Sequence, residues 1–412
     1  MSKRVVVTGL GIVSPVGNTV QSFWDSLITG KSGLDKITTF DTTNYPTKIA
    51  GIVQSIDFSG VVDTKEVNRT DRFVLFAVFA ADAAIKDAGL NLASEDLTRI
   101  GTIIGSGIGG LKTLETEHSK LLSRGPGRVS PFLIPMMIPD MAAGRVSIGF
   151  GLKGPNYSVV SACASAGHAI GDSFMMLKSG MMDVAVTGGA EAAITPLAYA
   201  GFCSMKAMST RNDNPQKASS PFDKKRDGFV MGEGAGIVVL ETLDHALARG
   251  AKIYAEMVGY GATGDAYHLS APAPEAEGGC RSMAMALSTA GLKPSDIDYI
   301  NAHGTSTDLN DKNETCAIKK IFGEHAKNIN VSSTKSMTGH LLGASGGIEF
   351  AASVLSVKND IVHPTINYED PDPDCDLNYT PNAAVKRQVR YALSNSFGFG
   401  GHNVSLVVGK YA

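Results

Sequence analysis

Residues 80–105 read AADAAIKDAGLNLASEDLTRIGTIIG, and residues 284–304 read AMALSTAGLKPSDIDYINAHG. Each is an alanine-rich helical run, an Ala-Gly-Leu stop, an acidic loop and then a strand that meets glycine. The same order of features, met twice in a chain of 412 residues, points to a duplicated α/β unit. Later in each half a strand again runs straight into a helix. In the first half that seam is VVSACASAGHAIG (159–171), and in the second it is NVSSTKSMTGHLLGASGGIEFAASVLSVKND (330–360). Two related halves that face each other bring equivalent loops to one shared pocket, because ligands of such sheets sit at the carboxyl ends of the strands.

The rest of the chain fits this scheme. Short apolar runs predict strands over 4–9, 99–106, 156–162, 183–189, 236–241, 297–302, 329–334, 391–396 and 404–409. Alanine- and methionine-rich stretches predict helices over 71–88, 165–179, 277–290, 313–322 and 347–358. Strands alternating with helices indicate an α/β protein with a largely buried sheet. No Pro/Gly/Ser linker separates the halves, so one compact unit is expected, with 1–250 and 251–412 as its two parts.

Composition excludes several classes. The net charge of −3 gives no sign of nucleic-acid binding, and no run of eighteen apolar residues suggests a membrane span. The start, MSKRVVVTG, enters a strand pattern at once and leaves no room for a signal peptide, so a cytoplasmic protein is expected. The five cysteines (163, 203, 280, 316 and 375) have no CxxC spacing, which argues against disulfides and against a zinc site.

Cys163 stands at the first seam, flanked by Ala162, Ala164, Ser165 and Ala166. A thiol needs help to act as a nucleophile, and a helix N-terminus supplies positive potential and free N–H groups. The sequence therefore predicts an uncrowded thiol whose ionisation the helix favours. His303, in NAHGTSTDLND (301–311), and His340, in STKSMTGHLLGASGG (333–347), each end a strand and meet glycine, as pocket residues do. SNSFGFGGHN (394–403) is a glycine-rich turn whose N–H groups suit an anion and whose Phe397 and Phe399 suit a gate.

With VVVTGLGIVSPVGN, GSGIGG and PFDKKRDGFVMGEGA, these stretches resemble the β-ketoacyl-acyl carrier protein synthases, the condensing enzymes of fatty-acid synthesis, over nearly the whole chain. The elongating synthase II type is the most similar subgroup. The resemblance implies a thiolase-like fold of duplicated βαβαβ halves layered αβαβα. It implies that Cys163 takes the acyl chain, that His303 and His340 complete a Cys-His-His set, and that Lys335 and Glu349 occupy the family's lysine and glutamate positions. The N–H groups of Cys163 and Phe399 would form an oxyanion hole. The histidines would hold the malonyl thioester during decarboxylation, and acyl transfer itself would need neither of them.

Ile108 and Phe202 match pocket-lining positions, and Phe397, Thr305 and Thr307 stand with them as candidate substrate-binding residues. The family is homodimeric, with Ile134 of one subunit approaching its partner's pocket. Its partner proteins are acyl carrier proteins bearing acyl and malonyl thioesters. These are acidic, so Lys65, Arg69, Arg72, Arg124, Arg128 and Lys206 are candidates to meet them. His402 and Ser161 replace residues that are often threonine in the family, which puts the behaviour of the gate in question.

No cofactor and no metal are expected. Gly9-x-Gly11 lacks its third glycine, having Ser14 there, so a dinucleotide loop is incomplete. His303 with Asp308 and Asp311 lacks further ligands. A thiolase would carry a second cysteine in the C-terminal turn, and a non-catalytic partner subunit would have lost Cys163. A polyketide-type ketosynthase is the remaining alternative.

Overall fold

The computed structural model describes residues 3–411. Ten strands form one mixed sheet: β1 (Val5–Val13), β2 (Ile100–Gly105), β3 (Asn156–Tyr157), β4 (Val184–Glu191), β5 (Gly234–Thr242), β6 (Ala255–Gly264), β7 (Tyr299–Asn301), β8 (Asn330–Ser332), β9 (Tyr391–Gly398) and β10 (His402–Gly409). Their spatial order is β8-β7-β9-β10-β6-β1-β5-β4-β2-β3. Read outward from the centre, each strand of the first half has its counterpart five strands later. β1 answers to β6, β5 to β10, β4 to β9, β2 to β7 and β3 to β8. Pairing types repeat too: β2 is parallel to β4 and β3, and β7 is parallel to β9 and β8. The halves join where Val5, Val6 and Val7 pair antiparallel with Met257, Glu256 and Ala255.

Seven helices matter for the layers: α1 (Arg72–Asp87), α2 (Leu111–Arg124), α3 (Met141–Phe150), α4 (Ser165–Ser179), α5 (Glu277–Ala290), α6 (Asp308–Phe322) and α7 (Ser345–Asn359). α1 and α3 cover the outer face of the first half, in one apolar cluster with Val184 and Val239. α5 and α6 cover the second, around Ile300, Leu393 and Val407. α4 and α7 lie between the halves. α4 packs on β2 and β4 and reaches β10, and α7 packs on β9 and reaches β5. Every residue of α7 from Ser345 to Val357 is buried, so its apolar residues do not keep to one stripe. Where the central helices cross there is no room for a side chain: a Cβ on Gly346 would lie 2.9 Å from the Gly167 nitrogen. The result is two related halves, as the duplicated pattern predicted, in the layered αβαβα arrangement that the resemblance implied.

One strand of the sheet was not legible. β6, AEMVGYGATG, holds three glycines and one β-branched valine before its final turn, so its local preference is weak. Sheet position decides it, because β6 is wedged between β1 and β10 and alternates buried with half-buried side chains. The run 156–162 pairs only over Asn156–Tyr157, at the sheet edge, before the chain leaves for α4. Among the described residues no helix is long and apolar enough to cross a membrane.

Candidate active site

Two equivalent turns carry the chemistry. Before α4 the chain makes a tight turn over Ala162–Ala164, and before α7 it makes the same turn over Leu342–Ala344. The second residue before the helix N-cap has positive φ neither time by accident: Ala162 stands at +51° and Leu342 at +46°. Each costs roughly 1 kcal/mol of backbone strain, which the buried surroundings hold in place. Ser165 braces the first turn by donating to the Ala162 carbonyl (2.7 Å) and accepting from the Ser161 N–H (2.9 Å).

Cys163 is buried in the first turn, and its Sγ lies 3.0 Å from His340 Nε2. His340 Nδ1 in turn meets Ser345 Oγ at 2.9 Å, so α7 orients the ring. His303 lies on the other side, its ring edge-on to that of His340 with centroids 5.4 Å apart. The N–H of Phe399, in the turn after β9, donates to the Cys163 sulfur. A Cβ on the preceding Gly398 would lie 2.7 Å from the Ser161 oxygen and 3.2 Å from the Cys163 nitrogen, so only glycine keeps this space open.

Behind His303 sits a buried ion pair, Lys335 Nζ with Glu349 Oε1 at 2.5 Å. The same ammonium donates to the His303 carbonyl (2.7 Å) and faces His303 Nδ1 at 3.3 Å. An ammonium cannot accept, so this contact assigns Nδ1 as the acceptor and leaves the proton on Nε2, toward the cavity. Glu314 fixes the backbone of the same loop, accepting from the N–H groups of His303 and Gly304 at 2.8 Å each.

Electrostatics follow from burial. Desolvation pushes the Cys163 thiol up to about 12, against the pull of Lys335 and the Phe399 N–H. The helix N-terminus was expected to favour the thiolate. The sulfur instead is buried, and the loss of solvation disfavours its charged form. Burial, helped by Lys335, also holds both imidazoles well below their usual value, so both are neutral N–H donors near pH 7.

These groups open on a cavity of about 400 Å³, lined by Cys163, His303 and His340 together with Phe202, Phe397, Phe399, Thr305, Thr307 and Lys206. Thr305 and Thr307 face each other through their hydroxyls at 2.8 Å. Ile108 is not on this cavity. It packs deeper, with Phe202 and Leu111, in the apolar cluster around Tyr199 and Leu342. Ile134 is 57% exposed on the short helix Leu133–Met137, away from the cavity.

The basic candidates divide. Lys65, Arg69, Arg124 and Arg128 are exposed, Arg69 lying 4.9 Å over the Phe132 ring. Arg72 is engaged with the buried Glu233 carboxylate at 2.7 Å. His402 is exposed and sets its ring edge-on to His168, whose Nδ1 meets Ser161 Oγ at 2.8 Å. Both residues that depart from the family pattern therefore meet at one histidine beside the cysteine turn.

Sequence reasoning missed Ser345 and Glu314, which act through other residues, and Met205, Phe229 and Leu309 in the cavity wall. It also missed Arg226, which holds the Thr307 carbonyl (3.1 Å) while pairing with Asp372 (2.7 Å). Arg226 and Phe229 lie in PFDKKRDGFVMGEGA, a stretch that carried the resemblance without assigning them a role; nothing in local sequence distinguishes the others from ordinary buried or helical residues. Among the described residues no group of three or more His, Cys, Asp or Glu side chains could hold a metal ion. Two buried acceptor oxygens behind the site, Asn301 Oδ1 and Glu349 Oε2, have no donor among the described residues.

Comparison with known proteins places this arrangement in company. Residues 2–246 match the model of the beta-ketoacyl synthase N-terminal domain, and residues 254–369 match that of the C-terminal domain. The chain is 56% identical over 409 residues to 3-oxoacyl-[acyl-carrier-protein] synthase 2 of Synechocystis sp., covering 99% of this chain and 98% of that one. It is 54% identical over 410 residues to the enzyme of the same name from Staphylococcus aureus strain COL, covering 100% and 99%. Among solved structures, a beta-ketoacyl synthase from Burkholderia phymatum superposes with a TM-score of 0.93 at 35% identity, each chain fully covered. A type II polyketide ketosynthase bound to a hexaketide, solved in complex with its acyl-carrier protein, gives the same figures.

Proposed function

The chain belongs to the β-ketoacyl synthase family, and on that premise we propose that it elongates fatty acids by decarboxylating condensation of an acyl-enzyme with malonyl-acyl carrier protein. The observation that carries this reading is the contact of Cys163 Sγ with His340 Nε2 at 3.0 Å in a cavity shared with His303. Its full-length relatives at 54–56% identity bear the name 3-oxoacyl-[acyl-carrier-protein] synthase 2, whereas the polyketide ketosynthase stands at 35%, which favours the fatty-acid reaction over the polyketide one.

In the first half-reaction the Cys163 sulfur attacks the acyl thioester. The thiol is protonated at rest, so its proton leaves as the C–S bond forms and passes to the departing carrier sulfur, while the Nε2–H of His340 points at the Cys163 sulfur. The N–H groups of Cys163 and Phe399 receive the developing oxyanion.

In the second half-reaction malonyl-carrier protein enters. The Nε2–H of His303 and that of His340 hold its thioester oxygen. Loss of CO₂ moves an electron pair onto that oxygen, so donors placed there act chiefly in the transition state. The enolate carbon then attacks the acyl carbonyl, the C–S bond to Cys163 breaks, and β-ketoacyl-carrier protein departs. Lys335 and Glu349 serve by fixing the tautomer and position of His303.

The two carrier-protein forms are the partners, met by the exposed Lys65, Arg69, Arg124, Arg128 and Lys206, of which Lys206 lies on the cavity wall; Arg72 serves mainly its own fold. The protein works as a homodimer in the cytoplasm, without a cofactor. The open sheet edge at β3 and the exposed apolar side chains Ile134 (57%) and Val160 (56%) support a self-association surface. The parts 1–250 and 251–412 supply the cysteine and the histidines respectively. Peptide mass mapping after incubation with an acyl-carrier protein tests the reading: acyl mass on Cys163 alone is expected, and label on Cys203 or Cys316 instead overturns it.

A further inference from the structure

Glu191 ends β4 with no exposed surface, and its carboxylate takes part in no ion pair among the described residues. Its four hydrogen-bond donors are backbone or hydroxyl groups: Gly107 N (2.7 Å), Gly343 N (3.1 Å), Ile108 N (3.3 Å) and Ser106 Oγ (3.1 Å). One carboxylate thus ties two separate turns together. The first, after β2, presents Ile108 to the apolar cluster beside Phe202. The second, Leu342–Ala344, follows His340 and leads into α7.

The internal duplication gives this contact its meaning. β4 answers to β9, so Glu191, the last of eight residues, answers to Gly398, the last of eight. Gly398 leaves open the space before the Cys163 nitrogen, where the substrate oxyanion is to sit. In the other half the equivalent space, before the Gly343 nitrogen, is filled by the Glu191 carboxylate. A side-chain carboxyl group stands there in place of the substrate oxyanion. Gly343 has no room to give way: a Cβ on it would lie 2.2 Å from the Gly107 nitrogen and 2.7 Å from the carboxylate.

We infer that Glu191 is a positioning residue that locks the His340 turn to the turn at Ile108, so that an acyl chain long enough to pass Phe202 on the cavity wall and reach Ile108 in the apolar cluster beside it is sensed at His340. This rests on the roles proposed above for Cys163 and His340. Such a residue serves the malonyl half-reaction far more than the first acyl transfer, and long acyl chains more than short ones.

The test measures two rates in wild type, Glu191→Gln and Ser106→Ala: growth of acyl-enzyme by intact mass, with acetyl- and hexadecanoyl-carrier protein, and release of labelled CO₂ from malonyl-carrier protein on pre-acylated enzyme. The amide of Glu191→Gln turns a donor toward donors, and a loss of about 10-fold or more in CO₂ release is expected, with acetyl transfer falling less than about three-fold. Ser106→Ala, which removes one donor and leaves the charge, moves the rates the same way by about two-fold or more and serves if Glu191→Gln does not fold. Equal loss in both half-reactions, or no change in CO₂ release in any variant that folds, overturns the inference. Failure of wild type to acylate at Cys163 overturns the function proposed above and is seen separately.

Discussion

Cys163 Sγ and His340 Nε2 lie 3.0 Å apart although 177 positions separate them in sequence. The contact exists because the two halves of the duplicated fold each end a turn at the same place, one carrying the thiol and the other following the imidazole. A neutral thiol meets a neutral imidazole in a buried seam, and this pairing decides what the site does with pH.

Both imidazoles are held well below their ordinary value by burial and by Lys335. A histidine whose folded value is depressed stays neutral throughout the range above that value, so its N–H donor is lost only in stronger acid. CO₂ release on pre-acylated enzyme is therefore expected to stay flat from about pH 6 to about pH 8. A ten-fold decline per unit on going from pH 7 to pH 6 would show that one histidine titrates in that range, and the neutral-donor account would fail.

Carrier docking separates exposed charge from structural charge. Reversal at Lys65 and Arg69 is expected to raise KM for acyl-carrier protein by about 3–10-fold at low salt, with the effect shrinking as salt is added. Arg72→Ala is expected to act on the fold instead, because it leaves the buried Glu233 carboxylate without its partner; a loss of about 1–2 kcal/mol is expected for this half-exposed guanidinium. Thermal melts and KM measured on the same three variants check both. A raised KM for Arg72→Ala at unchanged Tm would put Arg72 at the docking surface.

The Phe399 ring lines the cavity, while its backbone N–H reaches the Cys163 sulfur. Its loop is held by Gly400 N donating to the Leu269 oxygen (2.7 Å) and Asp265 N donating to the Gly401 oxygen (2.9 Å). Phe399→Ala keeps the N–H donor and removes only the ring. Acyl transfer to Cys163 is expected to slow by about 10-fold with Tm nearly unchanged. Wild-type acyl-enzyme formation in this variant would make the ring mere packing.

Much of this was legible before any coordinates. The duplicated Ala-Gly-Leu pattern pointed to two related α/β halves, their αβαβα layering came from the family resemblance, and the seams at Cys163 and His340 were visible as strand-to-helix changes beside small residues. The electrostatic state of Cys163 was not legible. A helix N-terminus can be seen in the pattern SACAS, but the desolvation that outweighs it comes from packing against the other half of the chain. The glycine-rich β6 was missed because its pairing with β1 and β10, rather than its own residues, makes it a strand. Ser345, Glu314 and Glu191 escaped notice for a related reason. Each acts on a residue distant in sequence, and a lone serine or glutamate carries no local mark of that.

The division of labour between the two half-reactions is the central claim, and His303→Ala tests it most directly. His303 is held by Lys335 and faces the cavity, whereas His340 is the ring in contact with the cysteine. Intact-mass growth of the acyl-enzyme and release of labelled CO₂ from malonyl-carrier protein are to be measured on the same sample. The account predicts that acyl-enzyme still forms within about ten-fold of the wild-type rate while CO₂ release falls by about 10²–10³-fold, the loss expected for one oxyanion donor. Wild-type CO₂ release in His303→Ala, or loss of the acyl-enzyme itself, would contradict it.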